Sequence, residues 1–227
     1  MPLNQAEQNH TPEQRCEIAK SIFWRVARKV VQRELKHDFE IDDENRDAII
    51  AFVAYFTNNT SLMEQLGIDP RKGIMIIGNP GSGKSLLFRI VKECLNTPKY
   101  RPYFRYFSFY NCETPAKTYM KDGDIGLEKY TKLGCEGLSG TMDNVCLFDD
   151  LGSEEIKNNY GNKKEVMVDV IIERYEKLLS NGLITHFTSN LTPEEIESRY
   201  STRVRSRLRQ MCNMIVMGSE KDYKDRR

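Results

Sequence analysis

The sequence of 227 residues predicts an α/β protein, a three-layer sandwich with a mainly parallel five-stranded sheet. Apolar runs of strand length alternate with stretches of helical spacing, and this alternation is typical of a parallel sheet that helices cover on both faces. A glycine-rich turn follows the first apolar run, as it does where a strand leads into a phosphate-binding helix. The predicted strands are 74–77, 104–110, 145–148, 183–188 and 214–217.

The first helix is predicted over residues 12–36. Ile18, Ile22, Val26 and Val30 are spaced by four and form its apolar face. Arginines and lysines occupy much of the remaining surface, and a solvated basic face is the simpler interpretation. Contact with a partner protein or with DNA is the alternative. A second helix is predicted over 43–66, where Gly67 and Pro70 end it.

Residues 73–85 read GIMIIGNPGSGKS and contain the G-x-x-x-x-G-K-[ST] phosphate loop. Glycines at 78, 81 and 83 are expected to adopt positive φ, so that the backbone amides curl around phosphate oxygens. The following helix adds the positive end of its dipole. Lys84 would neutralise the β- and γ-phosphates, and Ser85 would bind Mg²⁺. A glycine turn that only joins a strand to a helix is the alternative. The predicted nucleotide-binding residues are Gly78, Asn79, Pro80, Gly81, Ser82, Gly83, Lys84, Ser85 and Leu86.

Asp149 and Asp150 follow an apolar strand about 65 residues beyond the phosphate loop. This is where a P-loop NTPase carries the second magnesium ligand, here Asp149. Asp150 could polarise the attacking water. An acidic turn after a strand is the alternative. Asn190 ends the next strand, at the edge where open α/β sheets bind ligands. It could hold the lytic water or the γ-phosphate, and an asparagine beside a helix cap is the alternative.

A capping box, Thr192-Pro193-Glu194-Glu195, opens two predicted helices over 193–200 and 202–211. The second helix contains STRVRSRLRQ, in which Arg203 and Arg207 are four residues apart and share a face. A solvated basic face is one interpretation. The other is an arginine finger that acts on the ATP of a neighbouring subunit.

Residues 113–142 combine lysines with tyrosines. Lysines on phosphates and tyrosines on bases could bind a single strand of nucleic acid, and a mobile surface segment is the alternative. The candidate residues are Lys117, Tyr119, Lys121, Lys129, Tyr130 and Lys132.

The composition limits the other possibilities. The formal net charge is +1, so no global field attracts the protein to nucleic acid or membrane. The six cysteines form no C-x-x-C pair, which favours free thiols in a reducing compartment and no zinc site. No apolar run is long enough to cross a bilayer, and the N-terminus lacks a signal pattern. A cytoplasmic location without a membrane partner is therefore expected.

Three segments, GNPGSGKS, CLFDDLGSEE and FTSNLTPEEIESRYSTRVRSRLRQM, together resemble the DnaC/IstB-like AAA+ ATPases. That family contains bacterial and phage helicase loaders and the ATPase helpers of transposition. The resemblance covers about residues 45–227, and 188–211 is its most specific part. It implies an AAA+ fold of the ASCE division without a separate C-terminal lid domain. Residues 41–227 would form the ATPase core, and residues 1–40 a helical extension that binds a helicase or another partner.

The resemblance also implies roles for single residues. Lys84 and Ser85 match Walker A, Asp149 and Asp150 match Walker B, and Asn190 matches sensor 1. Arg207 matches the arginine finger, with Arg203 as its companion. Asp150 stands where many AAA+ proteins have glutamate, so hydrolysis is expected to be slow. Lys224 stands where loaders tend to have an arginine, which puts a sensor 2 role for Lys224 or Arg226 in doubt.

The function implied is that of a Mg²⁺-dependent ATPase of DNA replication, stimulated by DNA or by its partner. It would form a homo-oligomer in the ATP state, bind single-stranded DNA through about 113–142, and deliver or open a DnaB-like hexameric replicative helicase. One alternative is a transposition helper that acts on a transposase. The others are a P-loop kinase of small molecules and a nucleotide switch that does not hydrolyse ATP.

Overall fold

The protein is described here by a computed structural model, which covers residues 10–132, 145–159 and 162–218, without the side chains of 157–159 and 162–163. The chain forms two compact units. The first comprises the described parts of Met1–Pro70, Pro80–Tyr106 and Met217–Arg227, and the second comprises Arg71–Asn79 and Phe107–Val216. In the described ranges, no helix combines the length and the apolar character needed to cross a bilayer.

The first unit is helical. Its longest helix, α1, begins at Pro12 behind a capping box, in which Thr11 and Gln14 each accept a hydrogen bond from the other's backbone N–H. α1 ends at Glu34, two residues before the predicted end. The helices of this unit are α1 (Pro12–Glu34), α2 (Arg46–Phe56), α3 (Thr60–Gln65) and α4 (Lys84–Asn96).

The single helix predicted over 43–66 is wrong, because the chain turns between α2 and α3. Asn58 has φ of +55°, a left-handed conformation that asparagine tolerates and that interrupts a helix. The side chain of Asn59 then accepts a hydrogen bond from the Leu62 N–H and caps α3. Phe52 of α2 packs against Phe88 of α4 with a centroid distance of 5.0 Å, so aromatic burial holds these helices together.

The second unit is built on a sheet of five parallel strands, in the order β2-β3-β6-β1-β7, which confirms the predicted fold class. A short antiparallel hairpin, β4 with β5, lies outside this sheet. The strands are β1 (Gly73–Ile77), β2 (Ser108–Asn111), β3 (Cys146–Leu151), β4 (Lys157–Asn159), β5 (Asn162–Lys164), β6 (Thr185–Ser189) and β7 (Cys212–Val216). The helices of this unit are α5 (Glu113–Asp122), α6 (Glu128–Thr131), α7 (Val166–Asn181), α8 (Pro193–Tyr200) and α9 (Thr202–Met211).

Most boundaries agree with the sequence pattern, but the strand predicted over 104–110 is wrong. Only Ser108–Asn111 is a strand, and Arg101–Tyr103 is a 3-10 turn. Phe104 and Phe107 are buried, and their spacing of three does not fit the two-residue period of a strand. The helix α7 begins only at Val166, because residues 162–164 pair in the hairpin.

A buried arginine links three elements of the second unit. The Arg174 guanidinium on α7 donates to the Thr185 hydroxyl at 2.7 Å and to the carbonyls of Ile184 and Tyr130. Burial lowers the pKa of Arg174 from its ordinary value. These hydrogen bonds join α7 and α6 to the start of β6, the strand that carries part of the candidate site.

Candidate functional site

The phosphate loop occupies residues 78–83, between β1 and α4. Gly81 and Gly83 have φ of +81° and +98°, as predicted, whereas Gly78 does not adopt positive φ. Gly78 instead continues the direction of β1 and donates its N–H to the Ser189 carbonyl at 3.2 Å. The expectation of positive φ at all three glycines is therefore wrong for Gly78, because that residue still pairs with the neighbouring strand.

Lys84 and Ser85 are the first two residues of α4, the position at which helix amides and the helix dipole favour an anion. The Lys84 side chain is buried, and its Nζ lies 3.4 Å from the Ser82 hydroxyl. A buried ammonium is costly unless an anion accompanies it. The loop therefore has the backbone curl and the cation that a triphosphate requires.

Two carboxylates lie in a bulge at the carboxyl end of β3. The register of β3 against β6 shifts between Phe148 and Leu151, and Asp150 has φ of +64°. Such a bulge redirects side chains at the end of a strand. Asp149 is buried and accepts a hydrogen bond from the Thr188 hydroxyl at 2.6 Å, while the Asp150 N–H donates to the same hydroxyl oxygen at 2.8 Å.

Asn190 meets these carboxylates from the next strand of the sheet. Its Nδ2 donates to Asp150 Oδ1 at 2.6 Å, so Asp149, Thr188, Asp150 and Asn190 form one connected polar cluster. β6 lies between β3 and β1, and β1 leads into the phosphate loop at Gly78. Three neighbouring strands thus end at this edge, each carrying a predicted site residue. Sequence reasoning missed Thr188, whose hydroxyl bridges the two aspartates.

The arginines of α9 differ in their surroundings. Arg205 forms ion pairs with Glu194 and Glu197 of α8. Arg203 is exposed. Arg207 is half-buried, with its guanidinium carbon 4.2 Å from the centroid of the Tyr175 ring, and its Nε has no hydrogen-bond partner within the described residues. Arg207 is therefore oriented by an aromatic face, and its buried Nε is left without a hydrogen-bond partner among the described residues.

A second polar cluster, which the sequence analysis did not find, supports the segment after β3. The buried Glu154 carboxylate accepts hydrogen bonds from the Gly152 N–H at 2.9 Å and from the Tyr200 hydroxyl. Arg199 donates to the carbonyls of Gly152 and Glu154 and forms an ion pair with Glu165 at 2.9 Å. The loop that follows the two aspartates is thus attached to α8. In the sequence, this cluster is indicated only by the second half of the DDLGSEE segment.

The glycine loop joins a central parallel strand, β1, to a helix, and the acidic strand β3 is separated from β1 by the one strand β6. This is a P-loop α/β fold. The resemblance of the sequence to the DnaC/IstB-like ATPases agrees with this P-loop fold.

No model of a known protein family matches the chain, and neither does any curated protein. Among solved structures, the chain is similar to DnaI, with a TM-score of 0.49, 19% identity, and coverage of 86% of this chain and 93% of that one. It is also similar to AMPPCP-bound DnaA from Aquifex aeolicus (TM-score 0.49, 17% identity, 82% of this chain and 50% of that one). A third similar structure is a DNA replication initiation factor (TM-score 0.48, 16% identity, 79% and 47%). A shared function does not follow from such a likeness.

The predicted nucleic-acid residues are brought together only in part. Lys117, Lys121, Lys129 and Lys132 are exposed, but the rings of Tyr119 and Tyr130 are buried in the core of the second unit. This corrects the expectation that these two tyrosines stack on bases, since a base needs an accessible ring face. Residues 133–142 of that segment, and Lys224 and Arg226, lie outside the described residues.

The buried Glu154 gives a prediction for pH dependence. Burial raises the pKa of Glu154 above its ordinary 4.5, while hydrogen bonds from Tyr200 and the backbone oppose the shift. The folded state therefore binds the proton of Glu154 more tightly than the unfolded state does. The contribution of Glu154 to the free energy of unfolding is fully present below pH 4.5 and is lost as the pH rises through the raised pKa. Glu154→Gln should flatten the dependence of the unfolding free energy on pH in that window, measured by denaturant titration.

The control is Glu155→Gln, which removes the exposed carboxylate next in the chain. Glu154→Ala should cost about 2–3 kcal/mol, since it leaves the Gly152 N–H and the Tyr200 hydroxyl unpaired. An unchanged pH profile in Glu154→Gln would show that the carboxylate does not titrate differently in the folded state.

Proposed function

We propose that the protein binds ATP with Mg²⁺ and hydrolyses it to drive a step of DNA replication, in the manner of a helicase loader. The observation that carries the ATPase assignment is the hydrogen-bonded cluster of Asp149, Thr188, Asp150 and Asn190. Two adjacent carboxylates at the carboxyl edge of a parallel sheet, of which Asp149 is buried and Asp150 half-buried, are typical of a magnesium–phosphate site, since like charges repel unless a cation separates them.

Each residue has a chemical role in this proposal. Lys84 and the backbone amides of residues 81–85 hold the phosphates. The Ser85 hydroxyl and the Asp149 carboxylate are oxygen ligands of the kind that Mg²⁺ prefers, usually one or two from the protein beside phosphate and water. The metal would neutralise charge on the β- and γ-phosphates. Thr188 keeps Asp149 and the backbone of Asp150 in register.

Asp150 is the proposed acceptor of the proton from the attacking water, and Asn190 orients its carboxylate. Asn190 contributes no charge of its own, so it can also hold the water without repelling the phosphate. An aspartate reaches less far than a glutamate, and the Asn190 hydrogen bond must be exchanged for one to water before attack. Both features support slow basal hydrolysis that a partner or DNA accelerates.

The loader role is taken from the family resemblance in 188–211 and from Arg207. In this proposal Arg207 completes the nucleotide site of a neighbouring copy, so ATP assembles a homo-oligomer. The assembly would hold single-stranded DNA and deliver or open a hexameric replicative helicase, and hydrolysis would release it. A transposition helper would instead act on duplex DNA and a transposase, and a small-molecule kinase would need an acceptor other than water.

Asn190→Ala is the test of the site. We expect kcat for phosphate release to fall by about 100-fold, because the general base loses its orientation, while the Kd for ATP changes by less than about threefold. The control is Asn181→Ala, an exposed asparagine at the end of α7, which should behave as the wild type. ATP binding is measured by fluorescence of a labelled nucleotide, and hydrolysis with and without single-stranded or duplex DNA.

The outcomes separate the candidate functions. Stimulation by single strands supports a loader, and stimulation by duplex alone favours the transposition helper. Wild-type turnover in Asn190→Ala would reject the catalytic cluster. Phosphate transfer to a small acceptor in place of phosphate release would identify a kinase.

A further inference from the structure

A basic and aromatic groove lies in the first unit, between α1 and the segment 97–106. Its volume is about 470 Å³, and it is open to solvent on one side. The side chains that matter for its chemistry are Glu17, Ile18, Arg25, Lys99, Tyr100 and Tyr103. None of them belongs to the phosphate loop or to the acidic cluster.

The tyrosines of this groove are held in place by cations. Tyr100 has the Arg25 guanidinium carbon 5.2 Å from its ring centroid and the Lys99 Nζ at 5.1 Å. Arg15 lies 5.4 Å from the Tyr103 centroid and also donates to the Pro102 carbonyl at 2.9 Å. Such contacts fix the rings, and both rings stay only half-buried.

The charge of the groove is positive. Arg25 and Lys99 line the groove together with one carboxylate, Glu17, and Glu17 is already paired with Lys20 at 2.6 Å. The whole chain has a net charge of only +1, so this local excess of cations is not a consequence of a basic protein. An anionic ligand is therefore favoured here over the rest of the surface.

We propose that this groove binds a single strand of nucleic acid. On binding, the cations that lie over the rings of Tyr100 and Tyr103 would move to consecutive phosphates, and unpaired bases would stack on the ring faces that they leave. A duplex does not fit this chemistry, because its base faces are covered by their neighbours in the stack. An acidic peptide would use the cations but would leave the aromatic faces unused.

This proposal rests on the proposed function for its ligand and deepens it. The single strand expected of a loader is assigned to α1 and residues 97–106 rather than to the lysine segment of α5 and α6. The burial of Tyr119 and Tyr130 supports this assignment, because lysines without accessible rings cannot supply stacking.

The test measures binding of a fluorescein-labelled oligothymidine of 20 nucleotides to the full chain by anisotropy, across a salt series. Tyr100→Leu, which keeps an apolar side chain but removes the ring, should weaken binding at least about tenfold. Arg25→Ala and Lys99→Ala should each reduce the slope of log K against log salt by about 0.7. Lys117→Ala with Lys121→Ala is the matched control and should change the affinity by less than about twofold.

Basal ATP hydrolysis and thermal unfolding are recorded for the same variants and should equal the wild type. Binding that survives Tyr100→Leu but is lost in Lys117→Ala/Lys121→Ala would overturn the proposal, as would absence of oligothymidine binding. Tyr100-dependent capture of a poly-glutamate peptide without oligothymidine binding would also overturn it, in favour of a peptide site. Loss of hydrolysis in the wild type would reject the proposed ATPase while Tyr100-dependent binding still supported the groove.

Discussion

Replacing Arg207 with alanine is expected to slow ATP hydrolysis by about 10³-fold or more and to leave the Kd for ATP within about twofold. A guanidinium that touches the transferring phosphate is worth about 10³–10⁵ in rate. Arg207 is the candidate for this task because the Tyr175 ring orients its guanidinium. Arg205, two residues away, is instead committed to two glutamates.

Arg209 is an exposed arginine on the same helix and supplies the control for Arg207. The variant Arg209→Ala should hydrolyse ATP at the wild-type rate. Arg203→Ala should have a smaller effect than Arg207→Ala, since it is the companion in the motif. Thermal unfolding checks that loss of the Tyr175 contact has not unfolded α9. Wild-type hydrolysis by Arg207→Ala at all protein concentrations would reject the finger.

Replacing Lys84 with alanine is expected to weaken ATP binding at least about 100-fold, which corresponds to about 2.7 kcal/mol. The ammonium is buried at the first turn of α4, where its charge would be neutralised by phosphate. Thermal unfolding checks that the variant keeps its fold. Binding is measured by titration calorimetry.

Lys92→Ala is the control for Lys84, because Lys92 is exposed on the same helix and should not affect nucleotide binding. If Lys84→Ala bound ATP as tightly as the wild type while keeping its fold, the phosphate-loop assignment would fail.

Elements with local signals were predictable from the sequence. α8 and α9 begin and end where the capping box and the periodicity indicated, at 193–200 and 202–211. Gly182 ends α7 in the left-handed conformation, as expected of a glycine after a helix. Asp149, Asp150 and Asn190 lie close together, as expected of residues at the ends of neighbouring parallel strands, which meet at one edge of the sheet.

The remaining features depend on contacts between distant parts of the chain. The turn at Asn58 interrupts a continuous apolar pattern. The strand predicted over 104–110 is shortened because Phe104 and Phe107, which are three residues apart, are both buried. The role of Thr188 depends on the bulge in β3, and that of Glu154 on Tyr200, 46 residues further on. No spacing rule within one segment predicts such pairs.

The most direct test of the shared-site proposal measures ATP hydrolysis by a mixture of two variants that are each expected to be inactive. Lys84→Ala lacks the phosphate-loop cation but retains Arg207, and Arg207→Ala retains the phosphate loop. If Arg207 acts on the nucleotide of a neighbouring copy, the mixture should hydrolyse ATP well above the sum of the separate variants. A mixture that is as inactive as its components, while both variants are folded and the wild type is active, would contradict the proposal that two copies share one ATP site.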